Sequence, residues 1–313
     1  GAAAPDGGGL GVTSWERLVS SGRARRDVEL ASMTTYKLGG PADLFVVVDT
    51  IDTLQEVGEA LRSEPMPVLV LGRGSNLLIA DKGFRGVVVR LGNDFAGVEI
   101  DRDGIVEAGG SASLPRVARG ISAEGRGGLE WGVGIPGSVG GAVRQNAGCF
   151  GREVVDVLVE ARVVSLAEGT DQWVEASALD LGYRHSSIAA TDVVVAARFH
   201  TVTVDPEVAA GEMRRITRWR KEHQPGGTLN AGSVFKNPPG DAAGAIIDRL
   251  GLKGFALGPV RVSPRHANFI EAEAGASAES VRRLIEAVQK RVQEQTGLRL
   301  EPEIQFVGFE DGD

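Results

Sequence analysis

Residues 132–148 read GVGIPGSVGGAVRQNAG, and the fold turns on what this stretch can support. Gly132, Gly134 and Gly137 satisfy the G-x-G-x-x-G spacing of a dinucleotide-binding turn, and Asp156 follows roughly 20 residues on, where that motif places an acid. A Rossmann turn also needs an apolar strand before it and a helix after it. Here GRGGLEW (125–131) precedes the glycines and Pro136 interrupts them. The stretch is therefore a glycine-rich loop of another kind. No G-x-x-x-x-G-K-[ST] occurs, so a P-loop is excluded.

A second loop, GRGSNLL (72–78), follows an apolar run. Gly72, Gly74, Ser75 and Asn76 can aim backbone amides and short side-chain donors at a pyrophosphate, with no Cβ to block close approach. Either loop alone is equally a turn that holds nothing. Two of them in one chain favour an anionic cofactor, and their spacing does not name it.

Composition narrows the classes. The 313 residues include 44 glycines, about twice the usual ~7%. A net charge of -8 offers no broad positive field for a nucleic acid or an anionic membrane face. The single cysteine, Cys149, excludes an intrachain disulfide, and His185, His200, His223 and His266 have no metal-site spacing, so no metal is expected. The opening residues lack the basic and apolar regions of a signal peptide, and no run approaches the ~18 apolar residues of a membrane span. Cytoplasm is the expected location, and no heptad or repeat argues for assembly beyond a monomer.

Along the chain, LFVVV (44–48), TLQEVGEALRSE (53–64) and PVLVLG (67–72) predict strand, helix, strand. VVVRL (87–91) adds a strand, and Leu114, Val117, Ala118 and Ile121 mark a helical face. The β-branched runs between 153 and 200 predict strands of a mixed sheet. Pro206 opens a helix over 207–221, NAGSVFKNPPG (230–240) is a loop, 242–251 a helix and HANFIE (266–271) a strand. A last helix has Ser277 and Ser280 as candidate caps and stops at Gly297, before a closing strand in LEPEIQFVGF. The expected organisation is an N-terminal tail over 1–22, rich in Gly and Ala through residue 13 with ordered structure beginning near Trp15, a unit over 23–90 joined by the strand in 299–313, a second over 91–221 and a third over 222–298.

Six segments taken together, TTYKLGGPAD (34–43), GRGSNLL (72–78), GIPGSVGGA (134–142), GYRHS (182–186), NAGSVFKNP (230–238) and LEPEI (300–304), resemble in order and spacing the UDP-N-acetylenolpyruvoylglucosamine reductase family. The resemblance runs from about residue 28 to 309 and implies an α+β fold: a non-Rossmann FAD-binding unit of two subdomains, of the vanillyl-alcohol-oxidase type, plus a smaller α/β substrate-binding domain. It implies non-covalent FAD, NADPH as co-substrate and reduction of an enolpyruvyl UDP-sugar in peptidoglycan precursor synthesis. The short interval between Asn237 and His266 resembles the subclass without a tyrosine loop insertion. Departures are Cys149-Phe150, where Ala-Tyr is common, and Gln305, where some members carry Arg.

The resemblance also assigns roles. Arg184 is an electrostatic catalyst, its planar fork suited to a carboxylate. Ser233 is the proton donor to the substrate carbon. Glu303 lies near the intermediate, either as a protonated donor or as the carboxylate partner of Arg184. The flavin would contact Gly72, Gly74, Ser75, Asn76, Leu77, Ile135, Pro136, Gly137, Gly141, Gln145 and Asn146. Tyr183, Arg220, Lys221, Lys236 and Asn237 would grip the substrate. Two rival readings remain: a related FAD oxidase of an alcohol or sugar, and a nucleotide-sugar binding protein without activity.

Overall fold

The computed structural model describes residues 13–309. Helix α1 (Ser14–Ser20), capped by Thr13, starts near Trp15, where order is expected to begin, and lies within the span 1–22 grouped with the tail. Burial of its Trp15 and Leu18 explains the order; residues 1–12 of the expected tail lie outside the described residues.

The first sheet has the order Ala24–Glu29, Pro41–Val48, Phe84–Leu91, Val68–Val70. Its first pair is antiparallel and the other two are parallel. Helix α2 (Ile51–Ser63), capped by Thr50, makes the crossover and buries Leu54, Val57 and Leu61. That face of the sheet shares its core with Val164, Val193 and Val195 of a second sheet.

The second sheet runs Thr170–Glu175, Leu158–Ser165, Asp192–His200, Ile105–Gly109, Val98–Ile100. All its pairs are antiparallel, not mixed as expected. Hairpin-like succession of 158–165 and 170–175 leaves no room for the crossover that a parallel pair needs. Helices α3 (Leu114–Ala123), α4 (Val139–Arg144) and α5 (Pro206–His223) accompany it. A Cβ on Gly140 would stand 2.9 Å from the Val194 carbonyl, so glycine lets α4 lie directly on this sheet.

The third unit is a small sheet, Ala256–Leu257, Val260–Val262, Ile270–Ala272, covered by helices α6 (Ala243–Arg249) and α7 (Ala278–Thr296). Helix α7 has the expected Ser277–Ser280 capping box and ends at Gly297 with φ +76°. The strand expected over 266–271 begins only at Ile270. The closing strand, Gln305–Val307, pairs in parallel with Leu77–Ile79, so the chain returns to its first unit.

Candidate active site

The two glycine loops lie against each other along a cleft of about 1220 Å³, some of it open to solvent. Loop 72–76 leaves the sheet after Leu71 and re-enters structure at Leu77. Gly74 makes this turn with φ +62°, and a Cβ there would stand 2.3 Å from the Met33 carbonyl. The N–H groups from Gly72 through Asn76 meet no acceptor among the described residues. The same holds for Gly137 and Ser138 on the neighbouring loop. Backbone donors left unpaired at a cleft wall are suited to a phosphate-bearing ligand.

The 3-10 turn Glu130–Gly134 precedes the second loop, and α4 follows it. No strand leads into the glycines, as the sequence indicated, although a short helix does follow them. Of the residues expected at a flavin, Gly72, Gly74, Ser75, Asn76, Leu77, Ile135, Pro136, Gly137, Gly141 and Gln145 all line the cleft. Asn146 does not. It is fully buried at φ +41°, donates to Glu153 Oε2 (3.1 Å) and the Gly182 carbonyl (2.8 Å), and accepts from the Val155 amide (2.9 Å). Those bonds consume the amide, so Asn146 braces the wall behind the cleft. Asn76 also has an internal duty, since its Nδ2 donates to the Glu303 carbonyl at 3.1 Å.

Arg184, Ser233 and Glu303 meet on the same cleft. Backbone pairing explains two of them: Lys236 N donates to Glu301 O and Glu303 N to Val234 O, which lays segment 234–236 against 301–303. Asn268, missed on sequence, fixes this arrangement by bonding both the N–H (2.9 Å) and the C=O (2.8 Å) of Phe235, as a neighbouring strand would. An Asx turn in which Asn230 Oδ1 accepts from Gly232 N presents Ser233. The Ser233 hydroxyl takes no partner among the described residues.

Arg184 sits at φ +53°, costly for a non-glycine residue. Its Nε donates to Glu303 Oε1 (2.7 Å), Nη2 to the Gly148 carbonyl (3.0 Å), and Nη1 approaches Glu153 Oε1 (3.5 Å). Three of the five guanidinium N–H groups are thus engaged and two are left for a ligand. Burial raises the pKa of Glu303, against the pull of Arg184 and Lys236.

The residues expected to grip a substrate divide. Arg220 lines the cleft, donates to Gln224 Oε1 (2.7 Å), and has its pKa lowered by burial. It forms no ion pair among the described residues, which suits it to an incoming anion. Lys236 pairs with Glu301 (3.3 Å) and borders an adjoining cavity with Arg184 and Glu303. Asn237 borders a cavity behind Ser233, and its backbone N–H donates to the Tyr183 hydroxyl (3.1 Å). The Tyr183 ring lies 4.9 Å from the Arg184 guanidinium, outside the cleft itself. Lys221 is exposed at the end of α5 and lines none of these cavities. Cys149 and Gln305, the departures from the family pattern, also line the cleft, as do Gln224 and Phe269, which no quoted motif contains.

Comparison with known proteins decides the family. Residues 224–307 match the UDP-N-acetylenolpyruvoylglucosamine reductase C-terminal domain, and residues 42–175 match an FAD binding domain. The UDP-N-acetylenolpyruvoylglucosamine reductase of Bacillus velezensis is 37% identical over 289 residues, 92% of this chain and 95% of that protein. The chain belongs to the UDP-N-acetylenolpyruvoylglucosamine reductase family. That of Erythrobacter litoralis is 40% identical over 287 residues, covering 92% of this chain and 88% of its own length. The crystal structure of the Thermus caldophilus reductase superposes with a TM-score of 0.79 at 35% identity, covering 91% of this chain and 99% of that one. For a member of this reductase family, the expected α+β organisation holds, with an FAD-binding domain and a separate C-terminal domain.

Proposed function

We propose that this chain uses FAD and NADPH to reduce the enolpyruvyl ether of a UDP-N-acetylglucosamine derivative to UDP-N-acetylmuramate, a step of peptidoglycan precursor synthesis. One observation carries the reading: Arg184, Ser233 and Glu303 converge on the cleft whose walls are the two glycine loops. The unpaired amides of 72–76 and 137–138 fit the diphosphate of FAD, and bound FAD supplies the hydride carrier.

Hydride addition at the methylene carbon leaves negative charge on the neighbouring carbon and its carboxylate. The two free Arg184 N–H groups meet that charge as it develops, which is where a preorganised donor contributes most. Ser233, its hydroxyl uncommitted, gives its proton to the carbon. Arg220, desolvated and without a carboxylate partner among the described residues, takes the substrate diphosphate; Asn237 shapes the cavity beyond Ser233, Lys236 the one beside Arg184 and Glu303, and Tyr183 braces both by accepting from Asn237 N and lying beside Arg184. No such arrangement is needed for oxidising an alcohol.

The interval from Asn237 to His266 is filled by α6 and one edge of the small sheet, which supports placing the chain in the shorter subclass without the tyrosine loop. Nucleotide co-substrates support a cytoplasmic location, and no helix among the described residues is long and apolar enough to cross a membrane. We read it as a monomer.

Ser233→Ala tests the assignment. Flavin reduction by NADPH, followed by loss of the ~450 nm band, should persist, and reoxidation by the enolpyruvyl substrate should slow by about 10²–10⁴-fold. A variant that loses the first half-reaction and keeps the second sinks the reading.

A further inference from the structure

Arg184 faces two protein carboxylates. Glu303 holds its Nε edge at 2.7 Å, and Glu153 stands 3.5 Å from Nη1. Glu153 belongs to no motif quoted above, yet it is built in with care. Its second oxygen accepts from the buried Asn146 amide (3.1 Å), which also ties down the Gly182 carbonyl two residues before Arg184 (2.8 Å). Its own backbone is fixed by the Asp156 carboxylate in a capping box. The guanidinium is shielded, with 17% of its side chain exposed.

Charge counting gives this bracket a purpose. One guanidinium is already shared by two carboxylates when a third, the substrate's, must come beside it. Close like charges in a shielded site cannot all ionise, and one takes a proton. Glu303, the more enclosed at 16% exposure against 30% for Glu153, is the one that gives way. The Arg184 fork then loses a charged partner at the moment it must stay in place.

Resting on the proposed function, we infer that Glu153 is a positioning residue of the reaction: it remains the counter-charge that anchors Arg184 while Glu303 takes up one proton from solvent as the substrate carboxylate binds. Other charged groups surround the trio. Lys236 faces Glu303 but is shared with Glu301. Arg220 and Cys149 line the same cleft, Arg144 stands on α4, His185 adjoins Arg184 and pairs with Asp180, and Arg152 is turned toward Asp156.

The test is calorimetric titration of the oxidised, FAD-loaded enzyme with the enolpyruvyl nucleotide near pH 8, in two buffers of different ionisation enthalpy. The oxidised enzyme does not turn over, so the readout is protons bound rather than activity. Wild type should take up protons on binding. In Glu153→Gln the site carries one fewer negative charge and the uptake should fall to under about half. Glu153→Asp, which keeps the charge and shortens the reach, should retain the uptake and slow flavin reoxidation. Equal uptake in wild type and Glu153→Gln, or equal loss in both variants, overturns the inference alone. No binding by wild type overturns the proposed function, and the inference with it.

Discussion

Arg184 Nε and Glu303 Oε1 lie 2.7 Å apart although 119 positions separate the two residues, and Arg184 adopts φ +53° to make the contact. A residue held in the left-handed region costs about 1–3 kcal/mol unless its surroundings compel it. Here three acceptors on three segments, Glu303, Glu153 and the Gly148 carbonyl, compel it. The donor fork is therefore rigid before any ligand arrives, which is the condition for electrostatic stabilisation without reorganisation.

Arg184→Lys keeps the charge and removes the fork. A single ammonium cannot reach Glu303, Gly148 and Glu153 together and still face a substrate carboxylate. Reoxidation of reduced flavin by the enolpyruvyl substrate should fall by about 10²–10³-fold, the loss typical of one misplaced transition-state donor. Flavin reduction by NADPH, monitored in the same stopped-flow trace, should change far less. A lysine variant with near wild-type reoxidation would mean that charge alone suffices and the geometry is incidental.

Arg184, Ser233 and Glu303 stand out as candidates in the sequence because each sits in a motif of several residues, and the glycine loops because glycine clusters have few structural alternatives. What the sequence conceals are contacts closed by folding. Asn146 reads as a donor facing the cofactor, since a side-chain amide beside a glycine loop carries no sign of which way it points. Its three internal bonds come from residues 153, 155 and 182. Asn268 likewise serves Phe235 across 33 positions. The strand Leu77–Ile79, which the closing strand joins, is too short for a period-2 pattern to register, although the return of the C-terminal strand to the first unit is expected from the sequence.

Asp81 provides a stability test away from the chemistry. Its carboxylate accepts from the amides of Ala278 (2.9 Å) and Glu279 (3.0 Å), so a residue of the first unit caps the helix that covers the third. Anions at a helix N-terminus are favoured by its unpaired amides and dipole. Asp81→Ala should cost about 1–2 kcal/mol, read as a lower denaturation midpoint and as amide exchange about ten-fold faster in the first turn of α7. Exchange there unchanged, with Ser277 alone holding the turn, would show that the inter-unit cap is dispensable.

Cys149 makes the pH-dependent prediction. Its thiol donates to the Trp131 carbonyl at 3.2 Å, and burial pushes its pKa up to about 11 against the opposing pull of Arg220 and Arg184. Desolvation thus outweighs two nearby cations, because the thiolate would have to form where little water reaches it. At pH 8 a thiol of this kind is about one-thousandth ionised, whereas an exposed cysteine, near 8.5, is about one-quarter ionised. Alkylation by iodoacetamide, followed by mass spectrometry, should be about a hundred-fold or more slower than for a small free thiol at pH 8. The rate should climb about ten-fold per pH unit and level off only near pH 11. Free-thiol reactivity at pH 8 would instead mean that the two guanidinium groups outweigh burial and hold a thiolate in the cleft.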